Sequence, residues 1–148
     1  MKITGADHTS YTISSLEQSL NFYVNILGME LLWEPQIEDA YFCSIIGFDD
    51  CSVRAAHLRI PGSQHHLELF EYVRPDGKKP DLHTNYVGNS HISLVVDDLQ
   101  AAYQELQASG VQFRSPPVKI TRGANRGGWA VYLTDPDGIT VELFQRPG

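Results

Sequence analysis

Cysteine is scarce in this chain: Cys43 and Cys51 are the only two among its 148 residues. Two thiols have neither the number nor the spacing of a disulfide framework or a thiolate metal site. Both lie in β-like sequence, so they are expected to be thiols of the core. Long apolar runs are also missing. No stretch of ~20 apolar residues occurs, which excludes a membrane-spanning helix, and the opening Met1-Lys2-Ile3-Thr4-Gly5-Ala6-Asp7 has no apolar run of signal-peptide length. A soluble, cytoplasmic protein is the expectation. Basic residues are outnumbered, 11 Lys and Arg against 18 Asp and Glu, for a formal net charge of −7. That balance argues against nucleic acid or an anionic membrane as a default partner. No segment is low in complexity, and a chain of this length folding as one domain buries ~70% of its unfolded surface.

What the chain does contain is the same series of events twice. Leu16 follows His8 by the same eight residues that separate Leu99 from His91, each leucine opens an amphipathic stretch, and each stretch stops at a glycine, Gly28 or Gly110. Each pass closes on one triplet, Glu68-Leu69-Phe70 in the first and Glu142-Leu143-Phe144 in the second. The spacing predicts a strand at 6–13, then a helix with Ser14 or Ser15 as cap, Glu17 completing a capping box with Ser14, and an apolar stripe of Leu16, Leu20, Tyr23, Val24 and Leu27. Strands are expected at about 30–34, 40–48, 52–60 and 65–73. After the polar connector Arg74-Pro75-Asp76-Gly77-Lys78-Lys79-Pro80-Asp81 the order repeats: a strand at 90–96, a helix capped by Asp97 or Asp98, and strands at about 111–114, 128–134 and 139–145. Asp135-Pro136-Asp137-Gly138 reads as the tight turn of a terminal hairpin. Two units are too few for a solenoid, so one compact domain over 1–148 is expected, with module one at about 6–73, a connector at 74–88 and module two at about 89–146.

Alternation along the strands decides which side chains share a face. His8 opposes Thr9 and Tyr11; Glu68 goes with His66 and Phe70 against Leu67 and Leu69. In the second half His91 goes with Ser93 against Ile92 and Leu94, and Glu142 opposes Val141 and Leu143. Each of these strands thus has an apolar side to receive a helix and a side that presents an ionisable group. Two His and two Glu at duplicated positions form a metal-ligand set, since a divalent cation offsets the cost of bringing two carboxylates into a partly dry cavity. Imidazole with carboxylate suits Zn, Ni, Co, Fe or Mn, one ion per site. Four protein ligands leave two octahedral positions open for an α-hydroxycarbonyl or enediolate. His57 and His83 are assigned to the surface or the connector. Trp33, Tyr41, Phe48 and Trp129 are candidates for an aromatic pocket wall, and His66 for pocket lining.

At these residues the chain resembles the vicinal oxygen chelate superfamily, which includes glyoxalase I, methylmalonyl-CoA epimerase, extradiol dioxygenases, fosfomycin-resistance proteins and bleomycin-binding proteins. The resemblance covers nearly the whole chain. It rests on the His8 strand, on the helix Ser19-Leu20-Asn21-Phe22-Tyr23-Val24-Asn25-Ile26-Leu27-Gly28-Met29, on Ser90-His91-Ile92-Ser93-Leu94, and most specifically on Asp135-Pro136-Asp137-Gly138-Ile139-Thr140-Val141-Glu142-Leu143. It implies an α+β fold of two paired βαβββ modules forming a cupped, partly open mixed sheet around one metal, and a homodimer. By the same resemblance His8, Glu68, His91 and Glu142 match the metal ligands of the glyoxalase I pattern, and the activity implied is that of a lyase, isomerase or epimerase. Proton transfer next to a carbonyl would run through a metal-chelated enediolate, with Glu142 first and Glu68 second as the base.

The substrate is less legible. The bacterial glyoxalases this chain resembles hold glutathione with an arginine four residues after the first histidine and an asparagine four residues after the first glutamate. Here those positions are Thr12 and Tyr72, and both departures count against glutathione. His66, Tyr72, Arg122, Arg126 and Trp129 are the candidate substrate contacts, the two arginines belonging to a glycine-rich loop, 119–128, that can fold over an anion. Two rivals are a metal-free protein that binds an antibiotic, which the intact ligand set opposes, and an Fe(II) extradiol dioxygenase, which needs two His and one Glu and would be crowded by a fourth ligand.

Overall fold

The computed structural model describes residues 1–148 and divides into two compact units, Met1–Pro80 and Asp81–Gly148. The elements of the first are β1 (His8–Ile13), α1 (Leu16–Leu20, continued by a π-helical stretch over Asn21–Ile26), β2 (Glu30–Trp33), β3 (Gln36–Ile37), α2 (Ala40–Ile45), β4 (Ser52–Arg59) and β5 (His66–Arg74). Those of the second are β6 (His91–Val95), α3 (Leu99–Ala108), β7 (Gln112–Phe113), β8 (Val118–Lys119), β9 (Trp129–Thr134) and β10 (Thr140–Gln145).

Each unit holds one five-stranded mixed sheet, and the two sheets have the same wiring. The orders are β1-β5-β4-β2 and β6-β10-β9-β7, with β3 pairing β4 and β8 pairing β9. The first and last strands of each unit are parallel, β1 with β5 and β6 with β10, because the helix between them carries the chain over one face of the sheet. The remaining pairs are antiparallel. In each unit the outer strand is broken into two short pieces, at Pro35 in the first and at Ser115-Pro116-Pro117 in the second, where proline cannot donate to a ladder. The α+β architecture of two repeated modules is therefore present in full.

The helix-bearing face of each sheet is the core. Leu67, Leu69, Ala56 and Leu58 are fully buried on the first sheet, under Leu16, Phe22 and Tyr23 of α1 and its extension; Val131, Leu133, Val141 and Leu143 are buried on the second. Both helices start alike. A short side chain caps each: Ser15 Oγ accepts from Gln18 N at 3.4 Å and Asp98 Oδ1 from Ala101 N at 3.0 Å. A strand side chain takes the first N–H, Glu71 Oε2 from Leu16 N at 2.7 Å and Gln145 Oε1 from Leu99 N at 2.9 Å. Glu71 and Gln145 occupy the same place in their modules, three residues beyond Glu68 and Glu142. Both helices end where the spacing predicts, at Gly28 and Gly110, whose φ values of 74° and 82° suit glycine.

Four expectations are corrected. The N-cap of α1 is Ser15, so Ser14 and Glu17 do not form the capping box. The helix continues from Asn21 with wider turns, in which Leu27 N donates to Phe22 O at 2.9 Å. Residues 40–45 are helical rather than part of a strand: Asp39 is the N-cap, and the rings of Phe42 and Phe48 pack on Phe70 and Tyr72 of β5, so tertiary packing overrides an aromatic-rich, β-like sequence. Finally, Cys43 and Cys51 are not free thiols. The helix turns the chain back on itself, brings their Cα atoms to 5.5 Å, and they are joined as a disulfide.

Candidate active site

On the face of the first sheet opposite α1, register places His8 beside His66, Ser10 beside Glu68 and Thr12 beside Phe70. Across the β4–β5 hairpin, His57 lies directly opposite Glu68. Glu68 is 8% exposed, so its carboxylate must find partners within the protein, and it finds two. Its Oε2 lies 3.2 Å from His8 Nε2 and its Oε1 lies 3.0 Å from His57 Nδ1. The other ring nitrogen of His8, Nδ1, is 2.9 Å from Asp7 Oδ2, and this hydrogen bond holds the Asp7 carboxyl below the usual carboxylate range.

The second unit repeats the pair. His91 sits beside Thr140, Ser93 beside Glu142, and Tyr132 of β9 lies directly opposite Glu142. Glu142 Oε2 is 3.2 Å from His91 Nε2, the same separation as in the first unit. Tyr132 places its hydroxyl 3.4 Å from His91 Nε2; burial, followed by the nearby Glu142 carboxylate, pushes its ionisation up. In both units the carboxylate side chain is recessed and the imidazole stands at the surface, 11% against 43% exposed for Glu68 and His8 and 19% against 39% for Glu142 and His91.

These pairs fit a divalent cation. With metal bonds of about 2.1 Å to each, a nitrogen and an oxygen 3.2 Å apart subtend roughly 100°, between octahedral and tetrahedral values. A histidine whose second nitrogen is fixed by a carboxylate, as Asp7 fixes His8, is the arrangement that holds an imidazole ligand in one tautomer and orientation. No group of three or more His, Cys, Asp or Glu side chains has the arrangement of a metal site.

The other candidates divide. His66 and Tyr72 share the Glu68 face; Tyr72 packs against Phe48 with ring centroids 6.2 Å apart, and burial pushes its hydroxyl up. Arg122 and Arg126 are exposed on a loop closed by Ile120 N to Gly128 O at 2.8 Å and Gly127 N to Ile120 O at 2.9 Å. Trp129 is a correction: its strand partner is Gln145, whose side chain caps α3, so Trp129 belongs to the helix-bearing face and not to the face of Glu142. His57 is a second correction. Assigned to the surface from sequence, it is instead a direct partner of Glu68. Asp7 and Tyr132 were also missed. The signal for His57 and Tyr132 lies in hairpin symmetry: reflection through Gly62-Ser63 pairs His57 with Glu68, and reflection through Asp137 pairs Tyr132 with Glu142.

Residues 5–143 match the family model described as the Glyoxalase/Bleomycin resistance protein/Dioxygenase superfamily. The chain belongs to that family. Among its curated relatives in the glyoxalase superfamily, a 2-epi-5-epi-valiolone epimerase from an Actinomyces species is 32% identical over 145 residues, covering 95% of this chain and 78% of that protein. A lactoylglutathione lyase from Pseudomonas aeruginosa is 28% identical over 148 residues, covering 94% and 81%. A glyoxalase-family protein from Bacillus cereus shares the fold, with a TM-score of 0.85 at 19% identity, covering all of this chain and 97% of that one.

Proposed function

We propose that the protein is a divalent-metal-dependent lyase, isomerase or epimerase of the glyoxalase superfamily that moves a proton on the carbon next to a carbonyl. The supporting observation is the repeated pair: His8 with Glu68 and His91 with Glu142, each at 3.2 Å, at equivalent register positions of two identically wired sheets. In this reading each pair contributes an imidazole and a carboxylate as candidate ligands of a divalent ion. When bound, the ion supplies Lewis acidity to two vicinal oxygens of the substrate, lowering the pKa of the adjacent C–H. His8 and His91 would hold the ion through their imidazoles. Glu142 removes the carbon-bound proton and returns it to the same or the neighbouring carbon, while Glu68 remains in place.

The names of the two curated relatives suggest alternative substrates, and the Glu68 face favours the epimerase over the glutathione-dependent lyase. Thr12 and Tyr72 occupy the two positions where glutathione-binding arginine and asparagine would be expected, and Tyr72 is packed into an aromatic group with Phe48. The same face carries Phe70 against Phe42, ring centroids 5.7 Å apart, so an apolar flank stands beside the carboxylate.

Elemental analysis of the purified protein is expected to find one divalent ion per chain, removable by chelator, with affinity strongly weakened in Glu142→Ala. The metal-loaded protein should exchange the α-proton of an α-hydroxycarbonyl substrate with solvent deuterium. A wild-type protein that takes up no divalent ion at any loading would overturn this reading.

A further inference from the structure

We propose that His57 is a positioning residue that fixes the Glu68 carboxylate, so that one of its oxygens is committed to the protein and the other is free for a cation. The inference rests on the metal-dependent reading above. The two carboxylate oxygens have separate partners: Oε1 faces His57 Nδ1 at 3.0 Å and Oε2 faces His8 Nε2 at 3.2 Å. A carboxylate held through one oxygen presents the other in a defined direction, and such outer partners are what orient acidic ligands. His57 is itself held. It stands directly across from Glu68 in the β4–β5 ladder, and on its other side Trp33 of β2 is its ladder partner, with the two rings 5.2 Å apart at 32°. The row Trp33, His57, Glu68 therefore runs across three adjacent strands, each member setting the next.

The second unit makes the contrast. Tyr132 occupies the position equivalent to His57, opposite Glu142, but its hydroxyl is directed to His91 Nε2 at 3.4 Å. The residue across the ladder thus meets the carboxylate in the first unit and the imidazole in the second. Glu68 therefore has a side-chain partner on each oxygen, and the one across its ladder is His57.

The test uses the full chain loaded with Co²⁺, with affinity read by competition against a chromophoric chelator and ligand geometry read from the visible absorption of the ion. His57→Phe keeps a ring against Trp33 and removes the donor; His57→Asn places an amide N–H near the position of Nδ1. The expected result is a 10- to 100-fold weaker Co²⁺ affinity and an altered absorption band for His57→Phe, with most of both restored in His57→Asn. Wild-type affinity and an unchanged band in His57→Phe would overturn the positioning role while leaving the metal site standing. Failure of both variants alike, with a band showing one nitrogen fewer, would overturn it by making His57 a ligand. A wild-type chain that binds no Co²⁺ would identify the failure as that of the metal reading itself. Circular dichroism on both variants confirms that folded protein is being compared.

Discussion

Asp135 is a 5% exposed carboxylate that serves the backbone: its Oδ1 accepts from Asp137 N at 2.9 Å and from Ile139 N at 2.8 Å, closing the turn that leads into the Glu142 strand. Removing it leaves two recessed N–H groups without that acceptor. Asp135→Ala is expected to cost about 2 kcal/mol of stability, read as a lower urea midpoint with an unchanged slope, and Asp135→Asn less than half of that. At this scale the metal-binding candidates were readable from sequence because strand alternation has a period of two and cannot place Glu68 with Leu67. His57 was not readable by the same rule. Alternation along β4 says which face it occupies, but only the pairing of β4 with β5 makes it the neighbour of Glu68.

Among the elements, α2 and its disulfide separate the two modules most clearly. The segment between β3 and β4 carries a helix stapled by Cys43–Cys51, whereas the corresponding segment between β8 and β9 is a loop. Phe42 and Phe48 bring α2 onto Phe70 and Tyr72, which are two and four residues beyond Glu68 on its own face. A substrate chelated beside Glu68 would carry its remaining part toward those rings. Metal-loaded protein is thus expected to bind benzohydroxamate about tenfold more tightly than acetohydroxamate, a preference erased in Phe42→Ala. Equal affinities in a competition titration would show that α2 does not flank the site. The loop at 120–128 has a different constraint: a Cβ at Gly128 would lie 2.5 Å from the Gln145 carbonyl, so the close approach of loop to β10 demands glycine there. Periodicity located α1, α3 and most strands to within a residue or two. It failed at 40–45, where aromatic and apolar residues read as a strand and the contacts that make them helical come from β5, about 30 residues later.

For the molecule as a whole, the proposed assembly is a homodimer. Trp33, Tyr41, Ile45 and Val73 remain 60%, 68%, 75% and 49% exposed in the single chain, and β2 is an open sheet edge, two features that favour pairing with a second copy. Light scattering on the eluting protein is expected to give twice the mass of 16.6 kDa, and a monomer at micromolar concentration would refute that assembly. No helix is long and apolar enough to cross a membrane. The duplication, the two helices, the terminal hairpin and the side of each strand that carries His8, Glu68, His91 and Glu142 were determined by sequence alone, because each depends on local period, capping and turn chemistry. The pairing of each histidine with its glutamate, the partner on the other oxygen of Glu68, the helix at 40–45 and the bond between the two cysteines were decided only by tertiary structure. They depend on strand register and on packing between residues far apart in the chain, which no local pattern encodes.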